Sequence, residues 1–373
     1  MALWMNRGGG HSPPCRSGQI GQARSMAHKT TSPLDTVTQN PAARAIAAGA
    51  VATGGALAAG KIVHDRVADR SERRRTRFRL YPDEGAAEGV RRIARGQIEL
   101  ASGELRSGDD VAESVHEARK SFKRVRAVVR LARDPLGDDV YRRENVAFRD
   151  TGRELSEARD AQVLRETLDA LLERYGNEIE DGAFTGLREA LDSDARDAQE
   201  RVAQDAEAVE QLRSNLDAAR DRVAAWPLPE HADAGMLAPG FDRIYKRGRR
   251  ALKAAERERS DENLHELRKR AKDLWHAAQI LRPASPRRMR RLARRAHKLS
   301  DLLGDDHDLA LLHAAARERY RTLGPGELAL LRGLIGRRRA QLQRAALACA
   351  ERVYARKPKA WRRRIARAGV AAA

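Results

Sequence analysis

A chain of 373 residues with 41% apolar residues can bury one large or two ordinary cores, and its formal net charge of +20 is a self-repulsion that points to an anionic partner. Aromatics at 4% and the lack of Val/Ile/Thr alternation exclude a sheet protein. Two cysteines, Cys15 in a polar lead and Cys349 at an apolar helical position, exclude a disulfide framework or a cysteine-based metal cluster and suit a reducing cytoplasm.

Residues 1–75 read as a loosely ordered tail. The beginning is Gly/Ser/Pro-rich and too polar to fold. Ala45 to Gly60 is an uncharged run of 16 residues, mostly Ala and Gly, where a spanning helix needs about 20 apolar ones. A membrane or granule-surface contact of residues 45–60 stays open. Gly55, Gly60 and Lys61 satisfy G-x-x-x-x-G-K, but Ile62 stands where a phosphate loop needs Ser or Thr and no strand precedes it, so no nucleotide site is expected.

From Leu80 the helical periodicity is nearly continuous, with breaks at 133–139, 175–182 and 226–240. The last holds Pro227, Pro229 and Pro239 and is the best boundary. The expected organisation is a first half at 76–228, a linker at 229–239, a second half at 240–366 and a short tail at 367–373. The order of segments repeats across that boundary. "GVRRIARGQIELAS" matches "GFDRIYKRGRRALKAA", and "LSEARDAQVL" matches "LGDDHDLALL" with Asp160 opposite Asp308. Each half closes with a long amphipathic stretch, 183–224 and 326–355. The expected fold is all-α, two four-helix bundles related by internal duplication about a pseudo-twofold axis.

The most informative repeat is "VHEARKSFKRVRAVVRLARD" against "LHELRKRAKDLWHAAQILRP". At 100° per residue, His116, Arg119, Lys120, Lys123, Arg126 and Arg130 fall within about 120° of one another, and Val115, Ala118, Phe122, Val125 and Val129 take the opposite side. In the second copy His265, Arg268, Lys269, Lys272 and His276 share one face, with Leu264, Leu267, Ala271 and Leu274 opposite. A solvated face normally alternates sign, since like charges at i,i+4 repel. Residues 116–133 hold seven Arg/Lys against one Glu, so the stripe is expected to face a polyanion with its acidic partners absent. Phosphate contact by the histidines would strengthen as pH falls through about 6.5.

The cluster Asp305, Asp306, His307, Asp308 raises a metal-dependent phosphohydrolase, but the further converging ligands are missing and Arg159 replaces His307 in the first half. The acids are better read as anchors for nearby cations. No catalytic residue, metal ligand or cofactor is assigned.

The duplicated combination V-H-E-x-R-K-x-x-K-R-x-R with L-x-E-x-R-D-x-x-V-L, then L-H-E-L-R-K-x-x-K with L-G-D-D-H-D-L-x-L-L, resembles the CHAD family over about residues 80–360. The resemblance implies two bundles around a basic groove that binds inorganic polyphosphate, lined by His116, Arg119, Lys120 and Lys123 and by His265, Arg268, Lys269 and Lys272. Tyr245, Lys246, Arg249 and Arg250 resemble the family's basic element on the preceding helix. Arg159, Arg291, Arg295 and Lys298 complete the expected binding set. Ala94 opposite Tyr245 and Asp273 opposite Arg124 break strict symmetry. The expected function is non-enzymatic polyphosphate binding in a cytoplasmic, granule-associated protein. Nonspecific nucleic-acid binding is the rival, disfavoured because few aromatics are present to stack bases.

Overall fold

A computed structural model describes residues 78–107, 111–151, 157–180, 182–318 and 323–370. The tail, its 45–60 segment and the Gly55–Lys61 motif lie outside the described residues. The first helix is α1 (Ala86–Ser107), followed by α2 (Val111–Leu131), a single turn at Arg133–Leu136, and α3 (Asp138–Asp150). Next come α4 (Glu157–Tyr175), α5 (Thr185–Gln204) and α6 (Ala206–Ala224). After the proline-rich segment run α7 (Ala238–Arg257), α8 (Asp261–Ile280), α9 (Pro286–Glu318), α10 (Pro325–Tyr354) and α11 (Pro358–Val370). The described residues contain no strand.

The expected breaks are where the backbone requires them. Gly137 sits at φ 78° between the single turn and α3, a left-handed value that glycine adopts without steric cost. Gly182 at φ 84° and Phe184 at φ 65° reverse the chain before α5. The stretch 183–224, expected as one helix, is two: Asp205 leaves helical geometry (ψ 68°) and its carboxylate accepts the Ala208 N–H at 2.9 Å, restarting the chain as α6. The second half answers α3 and α4 with the single 33-residue helix α9.

Two buried clusters organise the described chain, and neither belongs to one half. The larger joins Phe122 of α2, Trp226 after α6, Phe241 of α7, Leu274 of α8 and Trp361 of α11. The smaller joins Leu168 of α4, Phe184 before α5, Leu312 of α9 and Leu331 of α10. Each large side chain removed from water contributes on the order of 2 kcal/mol. α7 enters this core through Gly240, whose missing side chain admits the α2 backbone. A Cβ there would sit 1.9 Å from the Leu131 carbonyl oxygen. The strap before α1 is tied to the second half, with the Leu80 N–H donating to the Ile280 carbonyl at 3.0 Å.

Candidate functional site

The two motif helices touch. α2 packs on α8, so the stripes that the sequence separates by half the chain lie side by side. Their apolar residues take the buried side: Val115, Phe122 and Val125 on α2, and Leu264, Leu267 and Leu274 on α8, are all nearly inaccessible. Ser260 caps α8, accepting the Asn263 N–H, and Asp261 and Glu262 complement its positive end.

Lys123 and Lys272, at equivalent positions of the two motifs, form the centre of the arrangement. Lys123 reaches solvent and Lys272 is half-buried, yet both are crowded by protein. Desolvation, then the neighbouring charges of Lys272, Arg119 and Arg268, pushes the Lys123 ammonium down to about 8. Desolvation and Arg268 push Lys272 down to about 8, against the opposing pull of Asp308 and Asp301. Four cations from two helices thus compress into one region, which raises the cost of keeping it without counter-charge.

Beside them, Arg268 covers Gly304 of α9. A Cβ at that position would meet the guanidinium at 3.2 Å, so the flat group lies directly on the α9 backbone. Arg268 faces Asp308 at 3.8 Å, and its Nε is buried without a partner. The rings of His265 and His307 lie 4.4 Å apart with a 38° tilt between them, and His265 Nδ1 is also buried and unpaired. Burial, followed by His307, Lys269 and Arg268, holds His265 down to about 4, so it is neutral at physiological pH.

The stripe is not free of acids. Lys120 donates to Glu117 at 2.5 Å and Lys269 to Glu266 at 2.7 Å, so the glutamate of each H-E-x-R-K motif pairs with its lysine in the same i,i+3 geometry. The expectation that acidic partners are absent is corrected on that point. Lys120 and Lys269 remain substantially accessible, and an exposed pair of this kind is worth under about 1 kcal/mol.

Several candidates lie elsewhere. Arg130 donates to Asp273 of α8 at 2.9 Å, and Arg270 takes the other carboxylate oxygen at 2.8 Å, which makes Arg130 part of a bridge between the halves. Arg126 donates to Asn145 and is depressed to about 10 by burial and then Arg130. His276 packs edge-on to Phe78 at 5.5 Å and is stacked on Trp275; burial and then Arg124 keep it neutral. Tyr245 leaves the candidate set: it is 0% exposed among Phe241, Tyr354 and Trp361, and its hydroxyl donates to the Val353 carbonyl at 3.1 Å. Ala94, its counterpart, is equally buried. Lys246, Arg249 and Arg250 line a different concavity with Lys253 and Pro358. Arg295 and Lys298 flank Cys349 of α10 with Arg352, and Arg291 is exposed one turn earlier on α9. His116 and Arg119 lie half-buried on the α2 stripe. Arg159 begins α4, with its side chain outside the described residues.

The acidic cluster divides by role. Asp306 is 1% exposed and accepts from Arg339 Nε at 3.0 Å and Gln343 Nε2 at 2.9 Å, so it ties α10 to α9. Among the described residues no group of three or more His, Cys, Asp or Glu side chains could hold a metal. Gly304, Asp308 and His307 were not assigned to the site from sequence. A glycine inside a continuous helix is the one signal that marks the spot, because it lowers helix stability unless something must approach closely.

The model of the CHAD domain matches residues 92–317. PptA from Streptomyces chartreusis shares the fold at TM-score 0.52 and 17% identity, over 73% of this chain and 100% of that one. The CHAD domain from the plant Ricinus communis does so at TM-score 0.52 and 17% identity, over 73% of this chain and 94% of its own. Comparison with curated proteins finds no match.

Proposed function

The chain belongs to the CHAD domain family, and from that premise we propose that it binds inorganic polyphosphate between α2 and α8 without transforming it. The observation that carries this reading is the meeting of Lys123 and Lys272, each depressed to about 8 with Arg119 and Arg268 alongside. A chain of phosphates entering there would replace cation repulsion with several charge-assisted hydrogen bonds, bidentate from arginine and point-like from lysine. The buried, unpaired Arg268 Nε and His265 Nδ1 add polar atoms whose burial is costly until a ligand or water satisfies them. The core binding set in this reading is His116, Arg119, Lys120, Lys123, His265, Arg268, Lys269 and Lys272. Cytoplasmic location with granule association belongs to the same proposal. No described helix is long and apolar enough to cross a membrane.

The hydrolase alternative loses support because Asp306 is spent on Arg339 and Gln343. The nucleic-acid alternative loses support because a crowded, desolvated lysine pair suits a thin chain better than a duplex bearing bases. Labelled polyphosphate displaced by cold polyphosphate, DNA, RNA and ATP at fixed salt tests the reading. Cold polyphosphate is expected to displace at the lowest concentration per unit charge, with affinity falling steeply as salt rises. Equal displacement by DNA at every salt concentration would falsify a dedicated site.

A further inference from the structure

We infer that the chain carries a second phosphate-chain site on the face formed by α11, the outer stripe of α7 and the start of α9, and that one molecule can therefore bridge two polyphosphate chains. The bridging rests on the polyphosphate reading of the α2–α8 site.

No Asp or Glu follows Glu351, while the remaining 22 residues include eight Arg/Lys. α11 buries Trp361 and Ile365, which turns Lys359, Arg362, Arg363 and Arg367 outward. On one flank Lys246, Arg249, Arg250 and Lys253, spaced i, i+3, i+4 and i+7, line a concavity of about 340 Å³ against Pro358. On the other flank lies a cleft of about 490 Å³, where Arg363, Arg364 and Arg367 stand over the small side chains of Ala284, Ala360 and Ala368. Arg288 of α9 is near enough to Arg364 to add to the burial that lowers it. Among the described carboxylates only Asp242 forms an ion pair with a cation of this face, at Lys246. Like charges gathered around two open concavities, with Asp242 on Lys246 as the counter-charge among the described carboxylates, fit a phosphate chain in the same way as the first site.

The chemistry of the face selects among polyanion surfaces. A membrane-binding helix inserts large apolar side chains, but the exposed ones among the described residues are Tyr81, Val146, Leu311 and Leu330, all on other elements. Single-stranded nucleic acid stacks its bases on aromatic side chains, and Trp361, the aromatic residue of α11, is buried. The two sites are separate: the cations that depress Lys123 are Lys272, Arg119 and Arg268, the one that depresses Lys272 is Arg268, and none belongs to this face.

Light scattering of the full chain mixed with long polyphosphate tests bridging, and a tripolyphosphate titration counts the phosphate-chain sites on each variant. R362A/R363A/R367A is expected to lower the number of tripolyphosphate sites from two to one while scattering falls by about tenfold or more, as bivalent gain disappears. A matched control, R196A/R201A/R220A, removes three exposed arginines from α5 and α6 and is expected to scatter like the parent. The inference is overturned if the α11 variant scatters like the parent, or if the control loses as much, since net charge alone would then explain assembly. It is also overturned if R119A/K120A/K123A retains binding to duplex DNA in preference to polyphosphate of equal charge, which would assign the face to nucleic acid. Failure of the first-site reading shows differently, as an unchanged number of tripolyphosphate sites in that same R119A/K120A/K123A variant.

Discussion

The lysine pair sets the pH behaviour of the candidate site. Lys123 and Lys272 titrate near 8 in the folded protein and near 10.5 when unfolded, so between those values the unfolded chain holds more protons and their contribution makes the folded state more stable as pH rises. A bound polyanion favours the ammonium form and raises both values. Binding near pH 8.5 is therefore expected to take up protons, and affinity to fall from about pH 7 to pH 10. Calorimetry in two buffers of different ionisation enthalpy measures the uptake, and K123Q/K272Q should remove most of it. The histidines act in the opposite range. His265 is held near 4 against an ordinary 6.5, so its contribution to stability is present above about 6.5 and lost as pH falls toward 4. Asp273 gives the structural contrast to the stripe. It accepts from Arg130 and Arg270 while largely buried, so Asp273→Ala strands Arg130, while Arg270 keeps Glu266, and should cost about 3 kcal/mol in chemical denaturation. Sequence marked Asp273 as a departure from symmetry but could not assign Arg130 to it, because an ion pair across 143 positions is invisible to helical periodicity.

At the scale of elements, helix ends and seams are held by single acids. Glu327 on α10 accepts the Phe184 N–H at 3.1 Å and the Gly324 N–H at 3.3 Å, joining the entrances of α5 and α10. Glu327→Ala leaves both donors without that carboxylate, and a loss of about 1–2 kcal/mol is expected from thermal unfolding, with polyphosphate affinity unchanged. The Phe184 φ of 65° makes this junction demanding, because a non-glycine residue is rarely left-handed. The helices themselves were legible to within a few residues: α10 at Pro325–Tyr354 matches the expected 326–355. The break at Asp205 was not, because Ala, Asp and Glu on both sides keep the helical pattern running through it.

Across the whole molecule, the halves are joined by shared cores as well as by the facing stripes. If both stripes grip one polymer, the second engages at high effective concentration once the first is bound. R119A/K120A/K123A and R268A/K269A/K272A should each lose most of the affinity for long polyphosphate, while thermal stability stays near the parent's because these side chains point away from Phe122 and Leu274. Short chains should discriminate less between the two variants. Long-chain affinity within about twofold of the parent for either variant, about 0.4 kcal/mol, would rule out a joint site.

Charge, helical period and the repeated motif were local properties, so the sequence alone determined that the protein is helical, that it presents cationic stripes, and which residues pack behind them. Phe122 and Leu274 are buried as their spacing required. Partnership was decided only by tertiary structure. The basic element of α7 illustrates the difference: one turn of helix separates Tyr245, which the core takes, from Arg249 and Arg250, which turn to a surface shared with α11. Period places these residues on neighbouring faces, but which face meets which neighbour follows from long-range contacts. Gly240 admitting the Leu131 backbone and Gly304 admitting Arg268 are such contacts, and each depends on two segments far apart in the chain.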